Sequence, residues 1–325
     1  MIKVNNLVKT FGAKRAVNGV SFTVEKGEVL GFLGPNGAGK STTMRMITGF
    51  IPPTEGSVTV GGHDIVNDPI AAKKLIGYLP ETAPAYTDMT VYSFLKFAGE
   101  LRGFSGDALR KAIHKVVETC FLESVLHQSV DTLSKGYRHR TCFAQSIIHD
   151  PPVLILDEPT DGLDPNQKHE VRTLIRRMGE TKAIVFSTHI LEEVEAACTR
   201  AIIIDRGQIV ANGTPAELKA RSEMAGAVTV RIYGVPAPQA ASLLGQAALA
   251  RRAAVVKEEN GCALMRVYPH DPAAKNGDLA RQVAEILTGQ QWKFDELHTE
   301  EGRLDEVFRS ITMPDTAPAN ATARA

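Results

Sequence analysis

Short, uniformly apolar runs alternate with stretches of helical periodicity over the front part of this chain. Val29–Leu33 and residues 153–156 and 183–186 are continuous apolar segments, each followed by a polar or glycine-rich turn and a helix-like pattern. Runs that short, with no polar alternation, suit strands covered on both faces. The rhythm predicts an α/β unit with a largely parallel sheet over residues 1–220. Between residues 90 and 119 the period lengthens. Val91, Phe94, Leu95, Ala98 and Leu101 fall at spacings that share one helix face, which predicts an inserted helical subdomain over about residues 82–150.

Residues 221–313 read as a second unit. Val228–Tyr233 alternates like a strand, and residues 239–250 have a helical pattern. Residues 252–258 and 262–268 flank Asn260-Gly261, a hairpin turn signal because both positions tolerate positive φ. A helix over 279–287, a strand over 292–297 and a closing helix at Leu304–Ile311 complete the unit. The order β-α-β-β-α-β predicts a small ferredoxin-like domain. Residues 314–325, rich in Ala, Thr and Pro, are expected to be a disordered tail.

Composition narrows the function classes. Lysine plus arginine number 37 and aspartate plus glutamate 37, a formal net charge of zero. Binding nucleic acid by neutralising phosphates calls for a basic excess, which is missing here, so no nucleic-acid partner is expected. The four cysteines, Cys120, Cys142, Cys198 and Cys262, lie far apart without a C-x-x-C pair, which argues against a zinc site or a disulfide framework. No apolar run approaches the roughly 20 residues that span a bilayer, and the first residues lack a signal peptide's apolar stretch. The chain is therefore expected to be soluble, and any membrane role would need a partner.

Chemistry concentrates in two places. Gly34-Pro35-Asn36-Gly37-Ala38-Gly39-Lys40-Ser41-Thr42 follows a predicted strand and opens a predicted helix, matching the phosphate loop G-x-x-x-x-G-K-[ST] in its confirming context. Glycines let the loop wrap so that backbone N–H groups converge on phosphate oxygens, and the helix N-terminus adds its positive end. Lys40 would bridge the β and γ phosphates, and Ser41 would offer its hydroxyl to Mg²⁺. Downstream, the apolar run 153–156 ends in Asp157-Glu158. Asp157 can hold the Mg²⁺ shell, while Glu158 can take a proton from an attacking water.

With those residues in place, the chain resembles the ABC ATPase family over roughly residues 1–220. The deciding feature is Leu133-Ser134-Lys135-Gly136-Tyr137, similar to the family signature L-S-G-G-Q. The resemblance implies that the Ser134 hydroxyl and the Gly136 backbone touch the γ-phosphate held by an opposite subunit, so that two chains, most simply a homodimer, close around two ATP. It also implies that Phe11 stacks on adenine. Gly162-Leu163-Asp164 corresponds to the D-loop linking the two sites, and His189 to the switch histidine that senses the γ-phosphate.

Three departures stand out. Glu81 occupies the place of a glutamine that contacts Mg²⁺ and the attacking water. Lys135 and Tyr137 replace Gly and Gln of the signature, and Asp161 replaces a small hydroxyl residue at the start of the D-loop. The spelling of residues 76–81, 133–138 and 187–191 and of the ending 304–308 is similar to the ATPases of ABC type-2 exporters, including those of gliding motility, drug or sodium export and copper-enzyme maturation. What this implies is an ATPase that drives a separate integral membrane permease from the inner face of the cell membrane. The competing reading is a soluble ABC ATPase acting on nucleic acid or ribosomes. Translation-factor relatives carry two cassettes and chromosome-maintenance relatives a long coiled coil between phosphate loop and signature. Here there is one cassette, and Lys40 and Ser134 are too close in sequence for such an insertion.

Overall fold

The computed structural model describes residues 1–82, 84–259, 261–271 and 277–312. Contacts divide the chain into two compact units, Met1–Thr214 and Pro215–Ala325. The predicted tail and Asn260 of the hairpin turn lie outside the described residues.

In chain order the first unit contains β1 (Ile2–Phe11), β2 (Lys14–Val24), β3 (Val29–Leu33), α1 (Lys40–Ile47), β4 (Glu55–Val60), β5 (His63–Asp64), α2 (Pro69–Lys74) and β6 (Ile76–Leu79). It continues with α3 (Val91–Leu101), α4 (Gly106–Thr119), α5 (Lys135–Ile147), β7 (Val153–Asp157), α6 (Pro165–Gly179), β8 (Ala183–Thr188), α7 (Leu191–Ala197), β9 (Arg200–Asp205) and β10 (Gln208–Gly213). The predicted parallel sheet is six-stranded, in the order β10-β9-β3-β8-β7-β6, with β10 an antiparallel edge.

Every residue of β3, β7 and β8 is buried. Successive side chains feed two different cores, as the period of two in a strand requires. Leu154, Leu156, Ile184 and Phe186 pack against α3, α4, α5 and α6. Val153, Ile155, Ala183, Val185, Leu30 and Phe32 pack against α1 and a second sheet.

That second sheet, antiparallel in the order β2-β1-β4-β5, was not anticipated by the apolar pattern. The predicted helical stretch 90–119 is two helices. Thr90 caps α3 by accepting the Ser93 backbone N–H at 3.1 Å, and α4 starts anew at Gly106. No helix of the described residues is long and apolar enough to cross a membrane.

The second unit runs α8 (Pro215–Lys219), β11 (Val228–Tyr233), α9 (Ala237–Leu244), β12 (Ala250–Glu259), β13 (Cys262–Pro269), α10 (Asp278–Gly289), β14 (Lys293–Thr299) and α11 (Leu304–Ile311). Its sheet order is β12-β13-β11-β14 with antiparallel neighbours, so β13 lies between β11 and β12 as in a split βαβ. The helix expected over 239–250 stops at Leu244, and Ala250 already pairs with Pro269 in the sheet. Alanine-rich sequence favours helix locally, but strand pairing with β13 overrides that preference.

Candidate functional site

The phosphate loop joins β3 to α1 behind the sheet's parallel strand ends. A side chain on Gly34 would run into the Ile204 carbonyl oxygen, and Gly39 has a φ of 108°, which an L-residue rarely adopts. These two positions let the chain turn tightly enough for α1 to begin at Lys40. Ala38 is buried behind the loop, and its carbonyl accepts the Gly207 N–H at 2.8 Å.

Lys40 is buried, and its Nζ donates to the Gly34 carbonyl at 2.8 Å and the Pro35 carbonyl at 3.3 Å, 3.6 Å from Glu158 Oε1. The loop thus curls around its own ammonium group. Phe11, Asn36, Gly37, Gly39, Lys40, Ser41, Thr42, Glu81 and Glu158 line one cleft of about 420 Å³, together with Lys14 and Ala16. The size and the basic, glycine-walled floor suit a nucleoside triphosphate. Phe11 is 51% exposed at the rim and carries Lys9 Nζ 5.2 Å above its ring, leaving it available for stacking.

The two acids are held by a residue to which motif reading gave no role. Ser187, on neighbouring β8, donates to Asp157 Oδ1 at 2.5 Å and accepts the Glu158 backbone N–H at 3.0 Å. Ser41 donates to the same Asp157 oxygen at 3.1 Å. Asp157 is fully buried, yet its Oδ2 has no hydrogen-bond partner. A buried carboxylate oxygen left unpaired is costly, and a hard cation is the group that would satisfy it. Among the described residues no cluster of three or more His, Cys, Asp or Glu side chains is placed to hold a metal. A divalent cation here would therefore draw most of its oxygens from phosphate and water, as Mg²⁺ does.

Glu158 sits at a φ of 50°, a conformation that costs a non-glycine residue about 1–3 kcal/mol and clusters at functional sites. The turn aims its carboxylate into the cleft, where Oε2 meets His189 Nδ1 at 3.0 Å. Burial pushes the Glu158 carboxyl above the ordinary glutamate range, with His189 and then Lys40 pulling it back. Glu193, buried and also missed in the sequence, accepts from Thr160 and from Thr188 Oγ1 at 2.7 Å. It thereby ties the turn after Glu158 to the segment carrying His189.

Ser134, Gly136 and Asp164 are not among the residues that line the cleft. Ser134 caps α5 through the Tyr137 N–H at 3.3 Å, Asp164 caps α6 through the Gln167 N–H at 2.9 Å, and Gly136 packs where a Cβ would strike Gln167. Two of the departures meet in space. Lys135 Nζ lies 2.9 Å from Asp161 Oδ2 and holds that carboxyl below the usual aspartate range. Gly162, at a φ of 67°, leaves room for the Lys135 side chain, which a Cβ there would overlap.

Comparison with known proteins agrees with this geometry. The family model described as ABC transporter matches residues 17–161. The linearmycin resistance ATP-binding protein of Bacillus subtilis is 37% identical over 222 residues, covering 68% of this chain and 71% of that protein. The Nod factor export ATP-binding protein I of Ralstonia nicotianae is 36% identical over 314 residues, covering 96% of this chain and 94% of that protein. Among solved structures, an ATP-binding subunit of an ABC transporter superposes with a TM-score of 0.63 at 29% identity, over 67% of this chain and 92% of that one. A dimeric bacterial ABC transporter cassette, at 24% identity and a TM-score of 0.62 over 66% of this chain and 99% of that one, shares the fold. The chain belongs to the ATP-binding proteins of ABC transporters, the ATPases of that family.

Proposed function

We infer that this chain hydrolyses ATP to drive a separate integral membrane permease in an export system, acting from the cytoplasmic face of the membrane as a homodimer. The observation that carries the reading is the Asp157-Glu158 pair at the mouth of the phosphate loop, with an unpaired Asp157 oxygen beside Ser41 and with Glu158 held between Lys40 and His189. The name of the Nod factor export relative supports the direction of transport. The neutral charge and single cassette make a role on nucleic acid or ribosomes the weaker reading.

In the working site, phosphate oxygens take the place of the Gly34 and Pro35 carbonyls as acceptors for Lys40, and the loop N–H groups carry the charge of the triphosphate. Phe11 stacks on adenine. Ser41 and Asp157, with Glu81 at the rim, would hold Mg²⁺, which would supply positive charge beside the phosphates. Glu158 accepts the proton of the attacking water, and His189 orients Glu158 and senses the γ-phosphate. Ser134 and Gly136 of a second copy complete each site, and the segment at Asp164 links the two.

Because the Glu158 carboxylate is the working form, a raised pKa moves the loss of activity upward in pH. Turnover at saturating ATP is expected to fall on acidification, with its half-maximal point above that of an ordinary glutamate. A profile whose acid limb lies at the ordinary glutamate value would remove burial as the controlling influence.

The permease has a candidate seat. Pro84, Tyr86, Phe94, Phe97, Leu101 and Arg102 line a groove of about 560 Å³ beside α3. Tyr86 packs edge-on against Phe94 and Phe97 with ring centroids 6.2 and 5.7 Å away, leaving an apolar trough that suits an amphipathic cytoplasmic helix. Leu101→Asp should abolish co-purification of the permease while basal ATP hydrolysis stays within about twofold, since Leu101 is 72% exposed and surface substitutions away from special features cost little. Equal losses of both would point to a folding defect.

The direct test of the whole reading is purification of the Glu158→Gln form with ATP from detergent-solubilised membranes. A stoichiometric integral membrane protein is the expected companion. Recovery of ribosomes or nucleic acid in its place would overturn the transport reading.

A further inference from the structure

We propose that β12 is a self-association edge, through which two copies of this chain pair antiparallel strand to strand. The inference does not rest on the nucleotide site.

β12 is the outermost strand of its sheet, bonded to β13 on one side only. The outer row of backbone N–H and C=O groups of such a strand is a template for another chain. Edges of monomeric proteins are normally kept short or interrupted by charge. This one runs ten residues, and its charged side chains leave an uncharged middle at 253–256, where Val255 and Val256 are 42% and 44% exposed.

The charges lie at the two ends and are ordered. Arg251 and Arg252 stand near the start, and Glu258 and Glu259 at the finish, preceded by Lys257, whose charge Glu259 offsets. A two-fold antiparallel pairing centred near Val255 lays the arginine end of each copy against the glutamate end of the other, twice by symmetry. A parallel pairing would set like charges together, so the pattern selects the antiparallel register. Register shifts lie on either side of Arg251 and Val256, so the pairing row would run over residues 252–255 and 257–259 with Val256 bulged between them.

Existing partners leave this edge free to act. Arg251 and Arg252 share Glu223 at 2.6 and 3.0 Å, and Lys257 reaches Glu259 at 2.9 Å, all on the exposed surface where such pairs are weak and readily exchanged. Arg252 also lies over the Tyr268 ring, 3.9 Å from its centroid, a contact that leaves its charge available. The opposite edge lacks the pattern. β14 carries Asp295 and Glu296 at its centre, so a two-fold pairing there would bring acid against acid.

The test uses the full chain without nucleotide, so that its failure leaves the ATP site untouched. Sedimentation velocity of the unaltered chain should give a dimer. Amide hydrogen exchange over residues 250–259 should slow at least tenfold on going from dilute to concentrated protein. Arg251→Glu/Arg252→Glu and Glu258→Arg/Glu259→Arg should each weaken association at least tenfold, and an equimolar mixture of the two variants should restore the dimer. A chain that remains monomeric when concentrated, or exchange over 250–259 that ignores concentration, overturns the proposal. So does a dimer that survives both charge reversals.

Discussion

Replacing Glu158 by glutamine is expected to lower ATP turnover by about two to four orders of magnitude, the range that a positioned general base contributes, with ATP binding retained. Glutamine keeps the size of the side chain and an oxygen for His189, and the backbone bond from Glu158 N to Ser187 Oγ is untouched. What disappears is the proton acceptor. The change also removes a negative charge 3.6 Å from Lys40, where the triphosphate would sit, so nucleotide affinity should hold or rise. Phosphate release measured beside nucleotide binding separates the two effects. Turnover equal to the parent's would move the base to another group and leave Glu158 as a structural carboxylate.

The second large effect is at Lys40. Its alanine variant is expected to bind ATP about tenfold to a hundredfold more weakly, since hydrogen bonds to charged groups are worth about 1.5–3 kcal/mol. Hydrolysis should drop below detection. The ammonium is buried and fastened to two loop carbonyls, so its removal takes away both the charge facing the phosphates and the tie that keeps the loop curled. It also leaves Glu158 without one of the two groups that counter its burial, and the carboxyl should titrate still higher. Calorimetric titration with ATP, paired with a thermal melt, distinguishes lost binding from lost fold. Parent-like affinity in a folded variant would reassign the cleft.

Much of this architecture is legible in the sequence because burial and pattern coincide. The fully buried strands β3, β7 and β8 are unbroken apolar runs, and the phosphate loop is a contiguous string whose glycines are each needed by the turn they make. The antiparallel sheet is harder to read. β1 carries register shifts after Val4, Leu7 and Lys9, and each shift reverses which face the next side chain meets, so the alternation is erased. The roles of Ser187 and Glu193 escape a motif search for another reason. They act on residues about thirty positions earlier in sequence, through bonds that exist only once β8 lies beside β7. The positive φ of Glu158 is equally silent in sequence, being imposed by its surroundings rather than by its own preference.

Lys135 and Asp161 look like two independent lapses from a motif when read along the chain, yet they close a contact across 26 positions, with Gly162 cleared to admit the lysine. The consequence is a constraint on how this sequence can drift. Restoring glycine at 135 alone strands an aspartate at the head of the D-loop, and restoring a hydroxyl residue at 161 alone strands a lysine over Gly162. Any side chain at 162 makes the end of the lysine shift, and at a φ of 67° it is strained besides. The three positions are therefore coupled through one exposed contact, and a change at any of them alters the surroundings of the other two.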